Sequence, residues 1–325
     1  MAMRKIGVLS SGTDGPGINP ALRAAVRMAL SMGARVVGVR RGYAGLLTGE
    51  FVELTARSVS GIISKGGTFL GSSRSLEFKS RRGQLEALRR LNEAEIEGLV
   101  VIGGDGTMRG AQQLHELSFP VIGVPATVEN DLPGTDTAIG VDTALNTALE
   151  AIDRIKDTAS AHQRAFLVEV MGRESGYMAL MAGLAGGAEM VCIPEVPFEL
   201  DDVARTVTEA YVKGKPHCII VVAEGARYGV HAIASYLRER HEEAGFSVRE
   251  TILGYIQRGG APLAYDRMLA TRLGAAGARF LLEGHRGEMV GLVGNEVVAT
   301  PLAEVIAQRK PIDVNMFRLA EVLAR

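Results

Sequence analysis

The stretch GVPATVENDLPGTD, residues 123–136, sets Glu129 and Asp131 two positions apart, with Asp136 close behind, directly after an apolar run. A further acid, Asp105, stands in VVIGGDGTMRG among Gly103, Gly104 and Gly106. Glycines let a backbone approach a phosphate closely, a helix starting near Thr107 turns its N-terminus toward anions, and an aspartate there can face a magnesium ion. Asn130 and Asp131 followed by Leu-Pro-Gly make a rigid loop that can hold its acids at fixed separation. One carboxylate can then hold magnesium while another takes a proton from an attacking hydroxyl. That is the division of labour of phosphoryl transfer, where a protein mainly positions groups and stabilises charge. Arg173, in EVMGRESGY, is a guanidinium suited to developing phosphoryl charge. In SSGTDGPGINP, Gly12, Gly15 and Gly17 thin the backbone again before a helix beginning near Pro20, a pattern that fits a phosphate loop and a plain turn equally.

These turns need elements to hold them, and one unit recurs: a short apolar run, a glycine-rich turn, then a helical pattern. IGVLSSGTDGPGINPALRAAV, GLVVIGGDGTMRGAQQL, AFLVEVMGRESGYMALMAGL and CIIVVAEGARYGVHAIASYL all follow it. Apolar runs without polar alternation predict strands buried on both faces, and strands alternating with helices predict parallel sheets: an α/β fold. Ligands of such sheets bind beyond the carboxyl ends of the strands, where these turns lie. Residues 143–158 illustrate the helix type, with Leu145, Ala148, Leu149, Ile152 and Ile155 on one face and Asp142 or Thr143 available as a local cap. A domain boundary is expected near residue 140.

Composition narrows the function classes. The chain has 325 residues, 47% hydrophobic, which suits about two domains. Thirty-six basic and 37 acidic residues leave a net charge of -1, so no global field argues for nucleic acid or an anionic membrane, and phosphate binding must be local. Cys192 and Cys218 lie inside apolar runs and read as buried thiols of a reducing compartment. The histidines at 115, 162, 217, 231, 241 and 285 show no metal-ligand spacing. The N-terminal apolar run is too short for a signal peptide and no segment nears the roughly 20 apolar residues of a membrane span, so a soluble cytoplasmic protein is expected.

Taken together, IGVLSSGTDGPGIN, GGTFLGSSR, IGGDGT, TVENDLPGTDTAIGVDTALNT, HQRAFLVEVMGR, GLAGGAE and ETILGYIQRGG make the chain resemble the bacterial ATP-dependent 6-phosphofructokinases over nearly its whole length. GGDGT alone also occurs in NAD and lipid kinases; its combination with NDLPGTD and EVMGR is specific. The resemblance implies two Rossmann-like α/β domains with mainly parallel sheets and an active site in the cleft between them. Residues 1–140 with 256–306 would form a larger nucleotide-binding domain, and 141–255 with 307–325 a smaller sugar-phosphate domain. It implies transfer of the γ-phosphoryl of Mg-ATP to the 1-hydroxyl of fructose 6-phosphate by a homotetramer. By position, Gly12, Thr13, Tyr43, Arg74, Gly104, Asp105, Gly106, Thr107 and Gly110 fall on the nucleotide side, with Asp105 and Asp131 at the magnesium positions. Glu129, Thr127 and Arg173 match the residues around the transferred phosphoryl. Met171, Gly172, Glu224 and Arg258 match sugar-phosphate contacts, Tyr255 falls at a further one, and Arg164 and Arg249 match arginines reaching the 6-phosphate across a subunit interface. Arg23, Arg27, Lys156, Gly187, Glu189, Lys213, Lys215 and His217 match an allosteric site for ADP or phosphoenolpyruvate.

The departures from that pattern are specific. Glu129 stands where the family has an aspartate base, and its extra methylene shifts the carboxylate by on the order of 1 Å. Thr13 replaces a glycine near the donor phosphates, Ala126 a glycine in the adjoining turn, Tyr255 a sugar-phosphate histidine and Ala56 an effector arginine, next to Arg57. Pyrophosphate-dependent relatives resemble the first turn but carry Asp at 106 and Lys at 126, so Gly106 and Ala126 favour ATP. Two expectations follow: an ATP-dependent phosphofructokinase, slowed if the longer acid is misplaced, or a regulatory paralogue that binds sugar phosphate or nucleotide and turns over poorly.

Overall fold

In a computed structural model, residues 3–240 and 245–324 are described; His241 lies outside them. The chain divides into two compact units. Unit 1 takes in the chain up to Thr127, residues 131–143 and 258–310; unit 2 takes in 128–130, 144–257 and 311 onward. The sequence division at 140, 255 and 306 did not include the excursion of 128–130 into unit 2.

Unit 1 is built on a seven-stranded sheet of β1 (Lys5–Ser10), β2 (Arg35–Val39), β3 (Phe51–Leu54), β4 (Gly98–Gly103), β5 (Val121–Pro125), β10 (Glu288–Val293) and β11 (Glu296–Pro301), in the order β11-β10-β5-β4-β1-β2-β3. The central strands run parallel, while β3 and β11 are antiparallel edges. The apolar runs are continuous because each strand feeds two cores. Ile6, Val8, Val100 and Ile102 face α1 (Ile18–Ser31) and α9 (Ala264–Glu283), while Leu9, Leu99 and Val101 pack with α2 (Gly42–Thr48), α3 (Arg81–Glu93) and α4 (Asp105–Glu116). Helices α1 and α9 lie close enough that a Cβ on Gly274 would sit 2.3 Å from the Ala21 carbonyl oxygen.

Unit 2 holds a four-stranded, all-parallel sheet of β6 (Arg164–Val170), β7 (Met190–Cys192), β8 (Cys218–Ala223) and β9 (Ser247–Ile252), ordered β7-β8-β6-β9. On one face Phe166, Val168 and Val221 pack with Ala148 and Ile152 of α5 (Val141–His162) and Ala182 of α6 (Tyr177–Ala185); Phe317 of α11 (Val314–Leu323) joins them. On the other, Leu167, Ile220 and Val222 meet Val203 and Val207 of α7 (Leu200–Val212) and Ile233 and Leu237 of α8 (Val230–Glu239). Cys192 and Cys218 are free thiols in that second core; burial pushes Cys192 up to about 12 and raises Cys218 as well.

The start of α5 differs from the local cap expected at Asp142 or Thr143. Asp266, on α9, accepts hydrogen bonds from the Gly140 amide (2.8 Å), the Thr143 amide (2.8 Å) and the Thr143 hydroxyl (2.6 Å). A buried carboxylate from a distant helix thus satisfies the open amides of this N-terminus. No helix of the described residues is long and apolar enough to cross a membrane.

Candidate active site

In unit 1 the glycine-rich turn after β4 is shaped by one threonine. Helix α4 starts at Asp105, two residues before Thr107, and the Thr107 hydroxyl donates to the Ser11 carbonyl at 2.9 Å, binding the turn after β4 to the turn after β1. Each glycine answers a different need. A Cβ on Gly103 would fall 2.3 Å from Thr107 Oγ1 and 2.5 Å from the Ser11 oxygen, so the fold itself excludes a side chain there. At Gly104 it would meet Thr127 Cβ at 3.4 Å. At Gly106 it would meet nothing within 4 Å. A helical glycine with open space above it is about 0.5–1 kcal/mol worse than alanine, so packing within the protein does not account for Gly106.

The acids follow. Asp131 is buried, at 6% exposure, and Thr127 Oγ1 reaches toward its Oδ1 at 3.5 Å. Burial raises the Asp131 carboxyl above the ordinary range, the negative charge of Asp105 adds to that rise, and the Arg309 guanidinium opposes it. Asp131 therefore feels the charge of Asp105 within one unit. Each is also held by an arginine that the sequence did not single out: Arg109 Nε to Asp105 Oδ2 at 2.9 Å, and Arg309 Nη1 to Asp131 Oδ2 at 2.9 Å. No cluster of three or more metal-ligating side chains occurs among the described residues. Two carboxylates still fit magnesium, which typically takes one or two protein carboxylates and completes its shell with substrate phosphates and water.

The remaining unit 1 residues fall in three groups. Gly12 has φ +79°, and Ser72 Oγ donates to its carbonyl at 2.7 Å, which brings the loop of exposed Arg74 to the Gly12–Thr13 turn. Arg258 pairs with Asp14 of the same turn, a partner not foreseen. Tyr43 and Gly110, expected to face the nucleotide, also pack into the scaffold of the turn. Tyr43 is buried, stacked on Phe78 at 4.2 Å between ring centroids, and its hydroxyl donates to the Thr107 carbonyl at 2.7 Å. Gly110 makes room for that ring, since a Cβ there would lie 2.5 Å from Tyr43 Cε2. Arg23 and Arg27 lie on α1, where Arg27 donates to the Ala56 carbonyl at 3.1 Å.

In unit 2, Glu129 Oε2 accepts from the Arg173 amide at 3.3 Å. Asn130, beside it, has φ +48°, a left-handed conformation that asparagine tolerates better than most residues. The Arg173 side chain is about half exposed, 4.0 Å from Glu224. Met171 and Gly172 follow β6; the Met171 amide donates to Gln257 Oε1 at 2.8 Å, and Gly172, at φ +139°, has the Ser175 oxygen 2.3 Å from where a Cβ would stand. Arg164 and Arg249 lie on neighbouring strands, with Arg164 beside Ser247 and Phe166 beside Arg249, so the two arginines share a sheet face. Tyr255 is 78% exposed. Of the basic set, Lys215 pairs with Glu189 at 3.2 Å and donates to the Ala324 carbonyl at 3.0 Å, His217 meets Ser160 at 2.8 Å, and Lys156 Nζ lies near Gly187. Glu189, Lys213 and Lys215 line a pocket of about 400 Å³ that Phe198 and Phe317 help to close.

Residues 5–281 match the model of the phosphofructokinase family. The chain belongs to that family. It is 50% identical over 322 residues to the ATP-dependent 6-phosphofructokinase of Brevibacillus brevis, and 52% identical over 323 residues to ATP-dependent 6-phosphofructokinase 1 of Thermus thermophilus. Each alignment covers 99% of this chain and 100% of the relative. Among solved structures it is similar to the phosphofructokinase of Pichia pastoris in the T-state (TM-score 0.88, 35% identity), covering 94% of this chain but only 36% of that longer one. It is also similar to the pyrophosphate-dependent phosphofructokinase of Marinobacter aquaeolei (TM-score 0.85, 25% identity), covering 96% of this chain and 86% of that one. The family fold is thus carried by a chain whose acids include a glutamate at 129.

Proposed function

We propose that the protein transfers the γ-phosphoryl of Mg-ATP to the 1-hydroxyl of fructose 6-phosphate, giving fructose 1,6-bisphosphate. The observation that carries this is Asp105 at the start of α4 next to the open Gly106, with the buried Asp131 in the same unit, in a chain about half identical along its length to relatives named for that reaction. Asp105 and Asp131 are the residues that would hold magnesium, which supplies charge neutralisation to the donor phosphates when bound. Gly12, Thr13, Gly104, Gly106, Thr107 and Arg74 would face the nucleotide, with the α4 N-terminus favouring its negative charge. ATP is preferred to pyrophosphate as donor on the strength of Gly106 and Ala126.

Glu129 is two residues along the chain from both Thr127 and Asp131, so its backbone lies within about 7 Å of each. In this proposal it takes the proton of the sugar hydroxyl, with one oxygen steadied by the Arg173 amide. Arg173 itself offsets charge developing on the phosphoryl group, together with the Thr127 hydroxyl. Met171, Gly172, Glu224, Tyr255 and Arg258 would hold the sugar, and Arg164 and Arg249 its phosphate in a homotetramer. Arg23, Arg27, Lys156, Gly187, Glu189, Lys213, Lys215 and His217 would take an ADP or phosphoenolpyruvate effector. The test is phosphorus NMR of the product formed from Mg-ATP and fructose 6-phosphate. Fructose 1,6-bisphosphate is expected. Tight binding of either substrate by calorimetry with no product would instead favour the regulatory paralogue.

A further inference from the structure

Asp131 is the more demanding of the two magnesium carboxylates, because it is buried and lies within the field of Asp105. It is paired with Arg309, far along the chain, in the segment that follows α10 (Leu302–Ala307). That segment is clasped to the acidic loop. The Lys310 amide donates to the Asp131 carbonyl at 2.9 Å, and Lys310 Nζ donates to the carbonyls of Thr135, at 2.9 Å, and of Asp136. Arg309 is therefore delivered to Asp131 by backbone that the fold fixes. The arginine on the other acid is of a different kind. Arg109 and Asp105 are an i,i+4 pair on α4 with side chains 49% and 24% exposed, a solvent-screened surface pair that contributes little.

We propose that Arg309 is a positioning residue for the metal-bound nucleotide: by engaging Oδ2 it fixes the rotamer of the Asp131 carboxylate, so that the acid meets the metal-bearing phosphates without rearranging. Losing the hydrogen-bond partner behind a metal ligand typically costs about 10–100-fold in metal affinity. A lysine would keep the charge but lose the planar fork that fixes orientation. The inference rests on the proposed function, since it needs Asp131 to meet a metal.

The test is calorimetry of the full chain with ADP in excess magnesium and with ADP in chelator, for the wild type, Arg309→Met and Arg309→Lys, with manganese EPR as a second readout of metal held by the complex. Arg309→Met should bind Mg-ADP about tenfold more weakly and metal-free ADP as the wild type does. Arg309→Lys should recover part of the loss, to within about threefold of wild type. Should the methionine variant fail to fold, the lysine variant decides alone: a weakening seen only with metal supports the inference. Unchanged Mg-ADP binding, or an equal loss with and without metal, overturns it. A wild type whose ADP binding ignores magnesium would overturn the functional reading beneath it, a result distinct from normal metal dependence in the wild type and both variants.

Discussion

Alanine at position 106 should make the protein more stable and a worse kinase. The argument starts from open space: a Cβ there meets nothing within 4 Å, and the residue is exposed in the first turn of α4. Removing a helical glycine gains about 0.5–1 kcal/mol, less toward a helix end. For a domain of this size that is a rise in melting temperature of about 1–4 °C. The same methyl group would stand where we place the donor phosphates, and displacing reacting groups by about 1 Å can lower rates by about a hundredfold. Thermal unfolding without ligand, paired with the ATP dependence of the initial rate, reads both effects. We expect a higher melting temperature and at least a tenfold loss in kcat/KM for ATP, about 1.4 kcal/mol. Gly103→Ala is the contrast, since its Cβ would press on the Ser11 carbonyl and Thr107, and overpacking of that kind costs about 1–3 kcal/mol of stability. A Gly106→Ala protein that is more stable and equally fast with ATP would refute the reasoning, because the glycine would then serve neither packing nor donor.

Other expectations follow from the same structure. Glu129→Asp should raise kcat by about tenfold if the extra methylene displaces the base; a crippled aspartate variant beside a fast wild type would show the longer acid to be a working adaptation. Asp266→Ala strands the amides of Gly140 and Thr143 and the Thr143 hydroxyl, and denaturant melts should show a loss of about 3 kcal/mol or more; a loss under 1 kcal/mol would mean that those donors find other partners. Burial raises both thiols, Cys192 to about 12, so at pH 8, below those raised values, each stays protonated and covered. Ellman's reagent should therefore label neither until the protein unfolds; rapid labelling of the native state would contradict the burial.

The parts of this fold that were legible in the sequence are those written locally. The runs at β1, β4, β6 and β8 are continuous because both faces of those strands are covered, and the turns behind them carry glycines, of which Gly103 is required by close packing. Edge strands were not legible: FVEL in β3 and EVVATP in β11 mix polar and apolar residues, because an edge is only partly covered. At the candidate site the missed residues share one cause. Arg309 on Asp131, Asp14 on Arg258, Gln257 on Met171 and Asp266 on Thr143 all pair residues far apart in the chain, and no local pattern specifies which distant side chain closes a loop. Tyr43 is the converse, since its place in a motif gave no hint that its ring would be turned inward under α4.

The most direct test of the central claim is the magnesium dependence of fructose 1,6-bisphosphate formation in the wild type, Asp105→Asn and Asp131→Asn proteins. The account predicts product from ATP and fructose 6-phosphate only with magnesium, and turnover reduced by at least about a hundredfold in each asparagine variant. Turnover that survives in both folded variants, with its response to magnesium unchanged, would contradict it.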